Sequence, residues 1–362
     1  MTPGAKPLAV LTDGGVGDLL AIVPALNALR RHFGAPIDVL ASPYAAPILE
    51  GHPAVGSVLR DDPRRSRSAM AQMLAPSAYS HAVVFWSNAR TAAFVQAAGI
   101  PVRVGQSRRL YSFRYTIRVP VRTEFGDTTS HWTDVQMDYA RALGAQPRPD
   151  DYRIHISPSA DDEREATALL KAFRVDGPFV ALHPARGLSG PFARLGPERA
   201  ARMTRVFWPV HRFAEIGDAL GEAFGVPVAL TGGPPVTSII ADIGLAMKRR
   251  NAMLAARTSL RVLAAIYKRA LAVVALDSGP MHVAAAVGAP TVGIFALRAD
   301  LPQRWRPLGE RVAVVGNSYA CPSWCRKETC KSFDCYRAIS PDAIVAAARS
   351  LLDTRSAAAG GA

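Results

Sequence analysis

The sequence predicts an α/β protein built as two Rossmann-like halves. Short apolar runs alternate with amphipathic helical stretches along most of the chain, the pattern of parallel strands joined by crossover helices. The series is interrupted by the polar, proline-bearing stretch 146–151, read as a linker, and starts again at 179. Each half carries a glycine-bearing loop directly after a predicted strand: Asp13-Gly14-Gly15-Val16-Gly17-Asp18 in the first and Asp277-Ser278-Gly279-Pro280 in the second. Ligands of such sheets sit at the carboxyl ends of the strands, so both loops are expected to face one cleft between the halves.

The elements follow in order. The first strand is read at 7–12 and a single helix at 19–33, with Leu19, Ile22, Val23, Leu26 and Leu29 on one face. Arg30, Arg31 and His32 suit that helix's last turn, and Gly34 stops it. Strands at 37–40, 57–59, 81–85 and 102–105, with helices at 89–98 and 131–143, complete the first half. The second half reads as strand 179–183, helix 210–224, strand 226–231, the turn Gly232-Gly233-Pro234-Pro235, and helices 236–249 and 259–269. Strand 272–276, a helix from Met281 to Val287 stopped by Gly288, and strand 291–295 close it. A last helix at 341–352 precedes a small-residue tail expected to be disordered.

The chain has 362 residues, 49% hydrophobic and 20% charged, enough for substantial cores. No run approaches the ~20 apolar residues that span a bilayer. Lys6 precedes only a short apolar run that Asp13 closes, which is no secretion signal, so a cytoplasmic protein is expected. A net charge of +14 favours anionic partners. With no helix-turn-helix, zinc finger or aromatic-interleaved basic tract read in it, nucleic acid is not expected, and an anionic membrane surface is the better match.

Chemistry concentrates in three places. The 272–295 stretch is a strand–loop–helix–strand unit whose helix N-terminus offers free N–H groups beside small residues. It reads either as a phosphate or diphosphate site or as a tight turn in which Asp277 and Ser278 cap the helix. Asp18 is likewise a general base or an N-cap; its loop lacks the third glycine of a dinucleotide fingerprint, which leaves a nicotinamide enzyme a distant reading. Cys321, Cys325, Cys330 and Cys335 form a C-x3-C-x4-C-x4-C cluster. Four thiols in so short a stretch can surround a structural zinc or iron ion; otherwise they are reduced or partly disulfide-bonded.

Five segments together resemble glycosyltransferase family 9, the ADP-heptose:lipopolysaccharide heptosyltransferase-like proteins, over most of the chain. They are GGVGDLLAIVPALNALRRHF (14–33), LHPA (182–185), Trp208-Pro209, LTGGP (230–234) and DSGPMHVAAAVGAPTVGIF (277–295). The resemblance implies a GT-B fold with an acceptor-side domain at 1–172, a sugar-nucleotide domain at 173–339 and a terminal segment at 340–362 whose helix crosses back. It implies inverting, metal-independent transfer from a nucleotide-diphosphate sugar, with no catalytic cofactor. Asp18 would be the base, in a cleft loop with Gly15 and Gly17. Ser278, Gly279 and the N–H groups around Met281 would hold the diphosphate, with His282 near the phosphates and Asp277 at the donor. Thr231, Gly232 and Gly233 would line the base and ribose pocket. In part of the family a similar cysteine cluster occurs, and in protein-modifying relatives it holds iron.

Three departures stand out. The family's lysine two residues before Trp-Pro is Val206 here, with Arg205 as the adjacent substitute, and Pro235-Val236-Thr237 lacks a ribose-binding carboxylate. The segment 186–205 is long and arginine-rich, either a basic flap near phosphates or a solvated insertion. The function expected is transfer of heptose or a related sugar to a lipopolysaccharide core or another envelope glycan, in the cytoplasm or peripheral at the inner membrane. Beside it stand a protein-modifying heptosyltransferase and a catalytically silent sugar-nucleotide-binding protein.

Overall fold

Two six-stranded sheets, parallel throughout, frame the molecule. The computed structural model describes residues 4–86, 88–185, 209–297, 301–316, 319–322, 325 and 332–359. The first sheet comprises β1 (Pro7–Leu11), β2 (Ile37–Ala41), β3 (Val55–Arg60), β4 (His81–Val84), β5 (Val102–Gln106) and β6 (Ile117–Val119), in the order β3-β2-β1-β4-β5-β6. The second comprises β7 (Val180–His183), β8 (Val228–Leu230), β9 (Asn251–Met253), β10 (Ala272–Leu276), β11 (Thr291–Phe295) and β12 (Val312–Gly316), in the order β12-β11-β10-β7-β8-β9. Both therefore follow one scheme, with the order reversing between the first and fourth strands of each sheet, where doubly wound sheets bind ligands.

The central strands read as unbroken apolar runs because both faces are covered: every residue of β1, β10 and β11 is buried. In the first unit, Leu8, Val10, Phe94 and Ile100 meet in one core. In the second, Val180, Leu230, Val274 and Ile294 pack with Phe213, Ile240 and Ile344 from the covering helices. The sequence reading missed β6, β9 and β12. All three lie at sheet edges: β6 and β9 are only three residues long, and β12, although its Val312–Val315 run is apolar, is only half-buried.

The chain divides into Met1–Ser157 and Pro158–Ala362. Helix Ala160–Ala172, which the reading had assigned to the first domain, packs in the second unit against helix Leu260–Arg269. Arg261 meets Asp162 at 2.8 Å, and Lys268 and Arg269 meet Glu163 at 3.1 and 3.0 Å. The stretch 146–151 is no free linker. It turns through Pro149–Tyr152 and is tied back to the first unit by Arg31, which donates to the Gln146 carbonyl and the Asp151 carboxylate, both at 2.6 Å, and by Asn27, which donates to the Asp151 carbonyl at 2.9 Å.

The helix predicted at 19–33 is two helices. One starts earlier, spanning Val16–Ala21, and the other spans Val23–Phe33. Pro24 is the cause: it has no N–H to donate to the carbonyl one turn back, so the ladder breaks at Ile22. Near the other terminus, helix Pro341–Ala359 continues past Leu352 through an alanine-rich stretch of high helix propensity, where a disordered tail was expected. Among the described residues no helix is long and apolar enough to cross a membrane.

Candidate functional site

In the first unit the loop after β1 presents Asp18, half-buried, in the first turn of helix Val16–Ala21. Asp18 is not the N-cap. That position is Gly15, whose N–H donates to Asp18 Oδ2 at 2.9 Å. Gly14 has no room for a side chain, since a Cβ there would lie 2.9 Å from the Asp18 Cβ and 3.0 Å from Leu11 Cδ2. Gly15 and Gly17 are exposed and half-buried respectively, at the mouth of the loop. Burial pushes the Asp18 carboxyl above its ordinary value, against the pull of the Gly15 and Asp18 amides. A carboxylate raised in this way is a better proton acceptor than one in water.

The loop is fastened to its neighbour after β4. Thr12 and Thr91 share a buried hydroxyl hydrogen bond of 2.9 Å, and Asn88 donates to the Asp13 carboxylate. Between them stands Trp86, 47% exposed, in left-handed backbone at φ 41° and edge-on to Trp132 at 5.6 Å. A bulky residue in that region is held there at a cost, a feature that clusters at binding sites. Sequence reasoning missed Trp86; nothing in its local pattern signals a positive φ.

In the second unit β10, β7 and β8 lie side by side, so their carboxyl ends bring His183, Thr231, Asp277 and Ser278 to one edge. Asp277 and Ser278 are buried, whereas Gly279, Pro280 and His282 are half-buried. Ser278 does not cap helix Gly279–Ala286 with its side chain; its hydroxyl donates back to the Leu276 carbonyl at 2.9 Å. The Met281 N–H is taken by the Ser278 carbonyl at 3.1 Å, and the Met281 side chain is fully buried against Ala275 and Phe295. Among the described residues, the Gly279 N–H is left open at this helix start, where Pro280 has none to offer.

Thr231 is equally committed to the interior. Its Oγ1 lies 2.9 Å from His183 Nδ1 and 2.8 Å from the Tyr267 hydroxyl, and Tyr267 reaches His183 Nδ1 at 3.1 Å. This triangle fixes the ends of β7 and β8 rather than offering the Thr231 hydroxyl to a ligand. A Cβ at Gly232 would fall 2.0 Å from Cδ1 of buried Ile240 and force that side chain to move, and half-buried Gly233 opens the turn Pro234–Val236. His183 was legible only as part of the LHPA segment, and Tyr267 only as one residue of an amphipathic helix.

Burial lowers His183 to about 3, and burial with His155 and Arg30 lowers buried His52 to about 4, from 6.5. Between pH 6.5 and those values the unfolded chain binds protons that the folded chain refuses. The stability these imidazoles contribute is therefore complete above pH 6.5 and is lost as the pH falls through that window. The urea midpoint is expected to drop steeply from pH 6.5 to 4, and less steeply in His52→Asn, whose amide oxygen can replace Nδ1 as acceptor for the Ala54 N–H. A midpoint flat across the window in the unaltered protein would contradict this.

The expected metal cluster is not assembled among the described residues: no group of three or more His, Cys, Asp or Glu side chains there is placed to hold an ion. Cys321 and Cys325 are half-buried, and Cys335 is buried in the core with Phe213, Phe333 and Tyr336. Cys330 lies outside the described residues, as do Arg205, Val206, Trp208 and the whole arginine-rich segment 186–205.

A profile of glycosyltransferase family 9 (heptosyltransferase) matches residues 67–336. The chain belongs to this family. This family 9 chain is 23% identical over 320 residues to lipopolysaccharide heptosyltransferase 2 of Escherichia coli, covering 85% of this chain and 87% of that one. Its fold matches the crystal structure of a family 9 glycosyltransferase from Veillonella parvula with a TM-score of 0.78 at 20% identity, over 97% and 98% of the two chains. It matches the E. coli heptosyltransferase WaaC, solved with ADP, with a TM-score of 0.63 at 16% identity, over 96% and 100%. The GT-B architecture expected of the family 9 chain is thereby borne out. The matched family region begins after the Asp18 loop and includes the Thr231 and Asp277 loops.

Proposed function

We propose that this family 9 chain is an inverting, metal-independent heptosyltransferase that moves heptose from an ADP-heptose-like donor to a lipopolysaccharide core or another envelope glycan. The observation that carries the reading is the Asp18 carboxylate, presented after β1 by the Gly15 amide hydrogen bond and made more basic by burial. Asp18 takes the proton of the acceptor hydroxyl as its oxygen attacks the anomeric carbon. The bond from that carbon to the phosphate oxygen breaks on the opposite face, and its electron pair leaves with the nucleoside diphosphate. The growing charge is met by the open Gly279 amide at the helix start, with His282 and Arg205 as further donors. Asp277 and Ser278 shape that loop, while Thr231, Gly232 and Gly233 form the wall for base and ribose.

The ADP carried by WaaC, the lipopolysaccharide heptosyltransferase relative and the family match support the donor class. Such a reaction belongs on the cytoplasmic face of the inner membrane, where a strongly basic protein meets anionic lipid. The test is direct. Purified protein with ADP-heptose and heptose-deficient lipopolysaccharide is expected to release ADP and add one heptose with inverted anomeric configuration, undiminished by chelator. Absence of both ADP release and transfer, with ADP still bound in calorimetry, would favour a silent binding protein.

A further inference from the structure

The large apolar side chains that the described part of the first unit leaves exposed are Tyr44, Trp86, Leu110, Phe113 and Phe125. Tyr44 follows β2, Trp86 follows β4, Leu110 and Phe113 follow β5, and Phe125 follows β6. Because the strands are parallel, every one of these segments leaves the sheet at the same edge as the Asp18 loop. Chance exposure would scatter such residues over both ends.

The tip of this rim is a built structure. Ser112, buried, donates to the Gln106 carbonyl at 2.8 Å and accepts from the Arg109 N–H at 3.0 Å. Arg108 adopts left-handed backbone at φ 59°. The result is a fixed turn that holds Leu110 99% exposed, with Phe113 at 61% and Phe125 at 60%. Arg108 stands over the Phe125 ring and Arg114 over the Phe113 ring, each 4.8 Å from the centroid. Neither makes an ion pair with a carboxylate among the described residues, whereas Arg109 is paired with Glu124. The sequence reading passed over this stretch, which does interleave arginine with aromatic residues from 108 to 118.

We infer that the Ser107–Arg114 turn and Phe125 dock the first unit on an anionic lipid bilayer, with Leu110 and Phe113 entering the headgroup region and Arg108 and Arg114 on lipid phosphates. A single-stranded nucleic acid fits worse: it needs free aromatic faces to stack on, and here guanidinium groups already lie over Phe113 and Phe125 while the outermost residue is a leucine. An aliphatic tip ringed by cations and aromatic residues is what an anionic interface accepts. The docking gives the glycolipid reading above its purpose, but vesicle binding is measured without donor, and transfer enters only as the control that the variants are otherwise intact, so either can fail alone.

The full chain is floated with vesicles of phosphatidylglycerol and, separately, of phosphatidylcholine. Binding to phosphatidylglycerol and not phosphatidylcholine, weakened by salt, is expected. Arg108→Gln with Arg114→Gln should weaken it roughly 25-fold, about fivefold for each arginine. Leu110→Ser with Phe113→Ser should weaken it about tenfold or more, while Leu110→Trp should retain it. Both double variants should transfer sugar to a lipid-free acceptor glycan as the unaltered protein does. Failure to bind phosphatidylglycerol, binding unaffected by both double variants, displacement of vesicles by a single-stranded oligonucleotide, or loss of transfer to the lipid-free glycan would each overturn the inference.

Discussion

Asp18→Asn is expected to reduce sugar transfer about a hundred- to ten-thousand-fold, with donor affinity and folding close to those of the unaltered protein. The asparagine keeps the shape of the side chain, and its amide oxygen can still accept from the Gly15 N–H that holds Asp18 Oδ2 at 2.9 Å. What it loses is basicity. The stability readout separates catalysis from structure. A carboxyl whose folded pKa lies above 3.8 binds protons more readily in the folded chain, so it gives up stability as the pH rises through its titration. At neutral pH the variant should therefore be as stable as the original, or more so, the usual sign of a residue kept for chemistry. The acid limb of kcat/KM should lie above the ordinary aspartate value, with activity rising as Asp18 deprotonates, and should vanish in any residual activity of the variant. Turnover above a tenth of the original would remove Asp18 as the base.

Thr231→Val is expected to cost about 2 kcal/mol of stability and to raise the donor KM with little change in the acid limb. Valine fills the same volume but leaves His183 Nδ1 and the Tyr267 hydroxyl without the oxygen that lies 2.9 and 2.8 Å from them. Both groups are buried, so no water replaces it cheaply, although the 3.1 Å contact between them survives and limits the loss. For a unit of this size, about 2 kcal/mol is a fall of roughly 4–8 °C in Tm. A midpoint and donor KM both unchanged would mean that the triangle does not hold the ends of β7 and β8.

Much of the fold could be read because the central strands announce themselves. β1, β10 and β11 are buried on both faces, so their apolar runs have no other use. Edge strands β6, β9 and β12 carry no such constraint, and the reading passed over them. The loops of the candidate site were placed correctly after β1, β8 and β10, since glycine following a strand is a local signal. Their internal bonding was not legible. Whether Ser278 caps a helix or donates back to Leu276, and whether the Thr231 hydroxyl faces a ligand or His183 and Tyr267, depends on residues distant in the chain. Trp86 illustrates the same limit, since its partner Trp132 starts a helix that lies beyond both β5 and β6.

The break at Ile22 separates two tasks that one continuous helix would have bound together. Helix Val23–Phe33 is oriented by the core and by the Arg31 and Asn27 bonds to the Pro149–Tyr152 turn. The short helix that carries Asp18 is set by Gly15 and the end of β1. Core substitutions that tilt the long helix therefore need not swing the carboxylate. The buried face can drift under selection for stability while the aim of the Asp18 carboxylate, the proposed proton acceptor, stays fixed, and Pro24 is the residue that grants this independence.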